Sequence, residues 1–182
     1  MKFTKTDLEG VCLIDLDKKE DERGFFARSF CKQEWDKHGL ISSFPQMNTS
    51  FNKKAGTIRG MHFRYLPYAE VKMVRCFSGA ISDVILDVRP DSPTFGKHIQ
   101  IELSSENRTL LYIPAGFAHG FQTLTNNVEL LYWHSEFYNP LYETGVRFDD
   151  PILGIQWPLT STVVSEKDNQ LPFFNDFFQN NS

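Results

Sequence analysis

Three consecutive runs, IRGMHF at Ile58–Phe63, VKMVRCF at Val71–Phe77 and AISDVILDV at Ala80–Val88, decide the fold. Each is too short for an amphipathic helix and rich in β-branched or other apolar residues. Each is bounded by turn residues, Ser78 and Gly79 among them, as strands in a compact β protein are. The same texture extends in both directions from Gly24 onward: Gly24–Phe30, Gln46–Asn52, His98–Leu103, Thr109–Ile113, Gly120–Leu124 and Val128–His134 complete nine predicted strands. Nine short strands without an internal repeat imply a mainly β domain, a barrel or jelly roll. Helices are peripheral. Lys32–His38 is closed by Gly39, placed as a C-cap glycine, and the tail LPFFNDFFQNNS sets Phe173, Phe174, Phe177 and Phe178 at helical spacing, for packing against the barrel or a partner subunit. The segment DDPILGIQWP (Asp149–Pro158), with two prolines, a glycine and a tryptophan, is expected to wrap the barrel as a loop and lead the chain to Ser165–Asp168.

A length of 182 residues suits one well-buried core, so 1–182 reads as a single domain. The 19 basic residues are outnumbered by 23 acidic ones and are spread along the chain, which excludes a nucleic-acid footprint. The start, MKFTKTDLEG, has no apolar signal core and no run reaches membrane-spanning length, so the expectation is a cytoplasmic protein without a membrane partner. Cys12, Cys31 and Cys76 are odd in number and widely spaced, as reduced core thiols are. The 17 Phe, 6 Tyr and 3 Trp suit a β core and a pocket that stacks on rings, without naming a ligand.

Small barrels can hold ligands inside, so polar residues on otherwise apolar strands are the ones to question. By the period-two rule, RGMHFR directs Arg59, Met61 and Phe63 to one face and Gly60, His62 and Arg64 to the other. Lys72 alternates with Val71 and Met73, and Tyr132 is out of phase with Leu131 and Trp133, so His62, Lys72 and Tyr132 are able to converge. A lone strand histidine is more often a hydrogen-bonded core or surface group than a catalyst. A His, a Lys, a Tyr and several Arg inside one barrel are another matter: burying them is costly without an anion or a polar network, and a binding site accounts for them together.

The motifs DERGFF (Asp21–Phe26), GTIRGMH (Gly56–His62), VKMVRCFSG, DSPTFG (Asp91–Gly96), IPAGFAHGF (Ile113–Phe121), the Tyr132 and Tyr138 region and the closing SEKD (Ser165–Asp168) occur in this order. Over nearly its whole length the chain thereby resembles the dTDP-4-dehydrorhamnose 3,5-epimerase family, whose fold is the RmlC-like cupin jelly roll. The resemblance implies an isomerase without a cofactor or metal. A C4 ketone acidifies the hydrogens at C3 and C5; removing one gives an enolate, and a proton returned to the opposite face inverts the centre, so two proton groups on opposite faces are needed. By resemblance His62 is the base, Asp168 the carboxylate that orients and charges it, Tyr132 the acid on the far face, and Lys72 the cation for the enolate oxygen. Asp83 is either a partner of Lys72 or a core hydrogen-bonding aspartate. Arg23, Arg59, His119, Gln46 and Asn48 match the residues that bind the diphosphate, and Tyr138 matches one that stacks on the nucleobase. The substrate implied is a nucleotide diphosphate keto-sugar, dTDP-4-dehydro-6-deoxy-D-glucose, on a route to rhamnose-type sugars. The partner implied is a second copy, in a homodimer where an N-terminal strand completes the neighbour's sheet.

Three positions depart from the family pattern. Arg28 stands where an acidic residue commonly follows RGFF-x, Lys19 where an aromatic precedes D-x-R-G, and Arg64 turns H-x-Q into His62-Phe63-Arg64. A carboxylate accepts the thymine N3 hydrogen, whereas arginine only donates and suits the N3 and O2 acceptors of cytosine. Two readings of Arg28 therefore stay open, a contact to a CDP-linked sugar, or a side chain that points to solvent or pairs with an acid at a dimer interface. Inversion at C3 alone or C5 alone also stays open. A metal-dependent cupin oxygenase or isomerase is the rival of another class, with His62, Glu70 and His119 as candidate ligands. Against it, an H-x-H pair is replaced here by H-x-R, and Arg64 and Lys72 repel a cation. A non-catalytic sugar-binding cupin is the third class, and the complete set of His62, Lys72, Tyr132 and Asp168 argues against it.

Overall fold

The computed structural model describes residues 1–180. Its strands are β1 (Lys2–Lys5), β2 (Cys12–Asp15), β3 (Lys19–Asp21), β4 (Gly24–Phe26), β5 (Gln46–Asn52), β6 (Ile58–Arg64), β7 (Lys72–Ser78), β8 (Ala80–Asp87), β9 (His98–Ser104), β10 (Leu110–Ile113), β11 (Phe117–Thr123), β12 (Val128–His134) and β13 (Glu143–Gly145), with helices α1 (Lys32–Lys37), α2 (Glu166–Asn169) and α3 (Phe174–Asn180). Two sheets, ordered β1-β2-β10-β7-β12-β5 and β13-β6-β11-β8-β9, face each other as the walls of a cupin jelly roll, and β3-β4 stand apart as a two-stranded ribbon.

Inward positions of both walls meet in one core: Val74, Cys76, Leu111, Val128 and Leu130 from the six-stranded sheet pack on Ile81, Ile85, Leu103, Phe117 and Phe121 from the five-stranded one. This is the expected outcome of alternating strands, each hiding every second side chain. The outer face of the five-stranded sheet is covered too. Met61, Phe63, Val84, Leu86 and Ala118 are sealed by Leu153 and Ile155 of the 149–158 loop and by Phe174, with Phe177 and Phe178 against them. The phenylalanine stripe of the tail is thus core packing, apart from Phe173, which is 42% exposed and lies under the Arg147 guanidinium. Asp150 ties loop to helix by accepting from the Phe174 N–H at 2.6 Å.

Helix α1 ends as its sequence predicts, with Gly39 at φ +69° and its N–H donating to the Asp36 carbonyl. Its Trp35 is fully buried against Ile14, Met73 and Tyr112 on the outer face of the six-stranded sheet. The other half of that face is open: Met47, Phe51 and Phe77 are 52%, 53% and 52% exposed. The predicted run Gly24–Phe30 is strand only to Phe26 and pairs with β3, outside both sheets. Cys12 and Cys76 are buried free thiols. Among the described residues no helix is long and apolar enough to cross a membrane.

Candidate active site

One end of the space between the walls is polar. A cavity of about 290 Å³ is lined by Asn48, Thr49 and Ser50 of β5, Arg59 and His62 of β6, Lys72 of β7, His119 and Phe121 of β11, Tyr132 and His134 of β12, and Glu143 of β13. The period-two reading is corrected at β6. Strict alternation sends Arg59 and His62 to opposite faces, yet both line the cavity, because the β6–β11 register shifts between the Phe121–Arg59 and His119–His62 pairs. Gly60 makes the shift: it sits at φ +121°, and a Cβ there would lie 2.5 Å from the Gly120 Cα. Past the shift, Met61 and Phe63 join the outer cluster.

His62 stands on one wall and Tyr132 on the other. His62 Nε2 lies 2.7 Å from Asp168 Oδ1, and Asp168 Oδ2 accepts from the Gly60 N–H at 3.2 Å. Asp168 is delivered by α2, which runs beside β6 and is capped by Ser165, whose Oγ accepts from the Asp168 N–H. Burial works against the Asp168 carboxylate, but the hydrogen bonds from His62, Gly60 and Ser165 outweigh it and hold the group below its ordinary range. A carboxylate only accepts, so Nε2 carries the imidazole hydrogen and Nδ1 keeps the free lone pair. Opposite, burial pushes the Tyr132 hydroxyl well above the usual tyrosine range, with Ser50 offsetting part of the effect.

Lys72 pairs with Glu70 at 3.1 Å, while Asp83 Oδ2 pairs with His119 Nε2 at 2.9 Å. Of the two sequence readings for Asp83, the core hydrogen bond is the one realised; burial pushes this carboxyl above its ordinary range. The Arg59 Nε donates to Asn52 Oδ1 at 2.8 Å, and among the described residues no carboxylate pairs with its guanidinium. The three metal-ligand candidates are separately engaged, His62 by Asp168, His119 by Asp83 and Glu70 by His134.

Gln46 and Tyr138 flank the cavity rather than line it. The Tyr138 N–H donates to Gln46 Oε1 at 2.8 Å and its hydroxyl to Glu143 Oε2 at 3.2 Å, leaving a half-exposed ring at the mouth. Arg23 and Arg28 do not reach it. The Arg23 side chain is 89% exposed on the ribbon and bonds Asp21, and Arg28 pairs at 2.9 Å with Glu34 of α1 in the same chain. Sequence reasoning missed His134 and Glu143. His134 shares the even phase of Tyr132 and was open to the same rule; Glu143 lies on a three-residue strand, ETG, that carries no alternation signal.

A family model described as dTDP-4-dehydrorhamnose 3,5-epimerase matches residues 5–176. A dTDP-4-dehydrorhamnose 3,5-epimerase of Sinorhizobium fredii is 42% identical over 173 residues, 94% of this chain and 89% of its own. The crystal structure of the Bacillus anthracis dTDP-4-dehydrorhamnose 3,5-epimerase with TDP and PPi bound superposes with a TM-score of 0.91 at 41% identity, covering 94% of this chain and 98% of that one. A dTDP-6-deoxy-D-glucose-3,5-epimerase of Legionella pneumophila, solved with dTDP-4-keto-L-rhamnose, superposes with a TM-score of 0.89 at 34% identity over 96% of this chain and 93% of that one. With these likenesses spanning the barrel, the His62–Asp168 pair and the opposed Tyr132, this chain belongs to the dTDP-4-dehydrorhamnose 3,5-epimerase family.

Proposed function

We propose that the chain converts dTDP-4-dehydro-6-deoxy-D-glucose to dTDP-4-dehydro-L-rhamnose by inverting C3 and C5 in turn. The observation that carries the reading is the placement of His62, with its Nε2 engaged by Asp168, on one wall and of Tyr132 on the other. His62 Nδ1 takes the proton from the carbon beside the ketone; the C–H electron pair forms the C=C bond of an enolate, and the former carbonyl oxygen takes up negative charge beside Lys72. Asp168 stabilises the imidazolium formed. Tyr132 then gives its proton to the opposite face of the carbon, the C=C pair forms the new C–H bond, and the ketone returns. The Tyr132 phenolate then regains a proton from solvent and the His62 imidazolium gives its proton up to solvent, which resets both groups for the second carbon; the buried hydroxyl, held above its ordinary range, keeps its proton until the enolate takes it.

Arg59, His119 and Asn48 are placed to meet the diphosphate, Arg59 with a guanidinium free of carboxylates, and Tyr138 with Gln46 behind it offers a ring to the base. The open patch of Met47, Phe51 and Phe77 on the six-stranded sheet supports a homodimer, since a sheet face this apolar is costly to leave in water. In such a dimer the exposed ribbon, with Arg23, serves the neighbouring copy's cavity. Incubation with dTDP-4-dehydro-6-deoxy-D-glucose, read by proton NMR, is expected to yield the L-rhamno product; recovery of unchanged substrate would overturn the reading.

A further inference from the structure

At the same end of the barrel four charged or polar side chains cluster, Lys72 and His134 in the cavity wall and Arg64 and Glu70 behind it, with side-chain exposures of 16%, 10%, 4% and 2%. Glu70 is their hub. Its Oε2 meets Arg64 Nη1 at 3.3 Å and His134 Nδ1 at 3.0 Å, and its Oε1 meets Lys72 Nζ at 3.1 Å. The Lys72 contact is one of charge rather than a directed bond, because Oε1 has no hydrogen bond of proper geometry. Asn48 Nδ2 lies 3.3 Å from His134 Nε2, so with the amide donating there, His134 donates from Nδ1 to Glu70 and adds no charge of its own. Arg64 is anchored from the other side: Nη1 donates to the Phe137 carbonyl at 2.9 Å, and its guanidinium lies 5.6 Å from the Tyr138 ring centre. Neither Arg64 nor Glu70 lines the cavity.

We propose that Arg64 and Glu70 are a positioning pair for Lys72: Glu70 holds the ammonium at the cavity wall, and Arg64 takes up the carboxylate's charge, so that Lys72 keeps one net positive charge and free N–H donors for the substrate's reacting oxygen. The inference rests on the role of Lys72 given under the proposed function. A buried Lys72–Glu70 pair by itself would be neutral, and a neutral pair stabilises a developing oxyanion far less than a cation does in a low-dielectric site. Adding Arg64 restores the net charge without moving Lys72 off its anchor. The two other buried carboxylates near the site are engaged elsewhere, Asp83 by His119 and Asp168 by His62, which leaves the placing of Lys72 to Glu70. The arginine that breaks the H-x-Q pattern therefore acts through Lys72.

Kinetics on the full-length enzyme with dTDP-4-dehydro-6-deoxy-D-glucose, together with dTDP binding and thermal melting, test the pair. Arg64→Gln lets Glu70 neutralise Lys72 and is expected to lower kcat about tenfold or more, with the dTDP dissociation constant within about threefold of wild type. Glu70→Gln frees Lys72 from its anchor and is expected to lower kcat as well. The double variant R64Q/E70Q restores the single positive charge but lacks the same anchor, so its kcat is expected to match that of Glu70→Gln within about threefold instead of showing the two losses multiplied. Arg64→Lys, which keeps the charge, is expected to stay within about threefold and decides the matter even where the Glu70 variants do not fold. Wild-type kcat in R64Q, multiplied losses in a folded double variant, or R64K falling as far as R64Q overturns the pair alone. Absence of turnover by the wild-type enzyme overturns the proposed function itself.

Discussion

His62 Nε2 and Asp168 Oδ1 are 2.7 Å apart although 106 positions separate them in sequence. The bond fixes which ring nitrogen is left to act as base, and Asp168 is buried and carries a second acceptor bond from Gly60, so the ring has one orientation to hold. Asp168→Asn keeps the shape and removes the charge; it is expected to lower kcat by about 10²–10⁴-fold with little change in dTDP affinity, measured by steady-state kinetics and calorimetry. A loss under threefold would take Asp168 out of the mechanism.

Tyr132→Phe removes the proton donor from the far wall and leaves His62 untouched. The variant is expected to wash solvent deuterium into the substrate with retention, while net epimerisation drops below detection by NMR. Normal product formation by this variant would show that another group, or water, protonates the enolate.

The two copies' contributions separate in a mixing experiment. If Arg23 serves the neighbour's cavity, a heterodimer of Arg23→Ala and His62→Ala subunits holds one intact site. Reassembling equal amounts of the two inactive variants is expected to recover about a quarter of wild-type activity, because half of the dimers are mixed and each of these has one working site of two. No recovery, with mixed dimers verified by mass, would place Arg23 and His62 in service of the same copy's site, and an active Arg23→Ala homodimer would remove Arg23 from binding.

Gly60→Ala introduces a Cβ 2.5 Å from the Gly120 Cα at a backbone φ of +121°, and the obstruction is backbone, which has no rotamer by which to yield. A loss of about 3 kcal/mol or more in chemical denaturation is expected, or failure to fold. A stability within 1 kcal/mol of wild type, on the ~1 kcal/mol scale of an ordinary substitution, would contradict the packing described for β6 and β11.

Asp87 predicts the acid side of stability. Burial opposes its charge, but Arg89, Ser92 and Thr94 hold the carboxylate and bring it down to about 2. A folded-state value below the unfolded one contributes stability that is complete above about pH 4, falls as the pH drops from there, and is gone below about pH 2. Its size is about 2 kcal/mol. In urea titrations between pH 5 and pH 2.5, wild type should lose stability more steeply than Asp87→Asn; parallel curves would contradict the assignment.

How far the sequence carried is best seen strand by strand. Gln46–Asn52 and Val128–His134 occur with the predicted bounds, and Ile58–Phe63 runs one residue longer; β6 and β12 bury part of their length, whereas β5 is buried only at Asn52. β1, β2, β3 and β13 were not predicted. They are three or four residues long; β2 and β13 owe their state to backbone pairing with remote strands, β10 and β6, which a local pattern does not contain, and β1 and β3 pair only with their neighbours β2 and β4. The same distinction holds in the site. His62, Lys72 and Tyr132 were legible from phase, but Arg59 appeared on the wrong face because a register shift at one glycine is invisible to a two-residue period. The pairing of Lys72 with Glu70 instead of Asp83 is a matter of tertiary geometry, and Arg23 and Arg28 lie outside the cavity because Arg23 sits on a ribbon that pairs with neither sheet and Arg28 follows it in the chain.

The central claim is that one base, His62, removes the proton at both carbons beside the ketone. It is tested most directly by incubating wild type and His62→Ala with dTDP-4-dehydro-6-deoxy-D-glucose in deuterium oxide and reading C3 and C5 separately by NMR. Deuterium at both carbons with wild type, and at neither with a folded His62→Ala, is the predicted result. Exchange at either carbon in His62→Ala, or at neither in wild type, would contradict it.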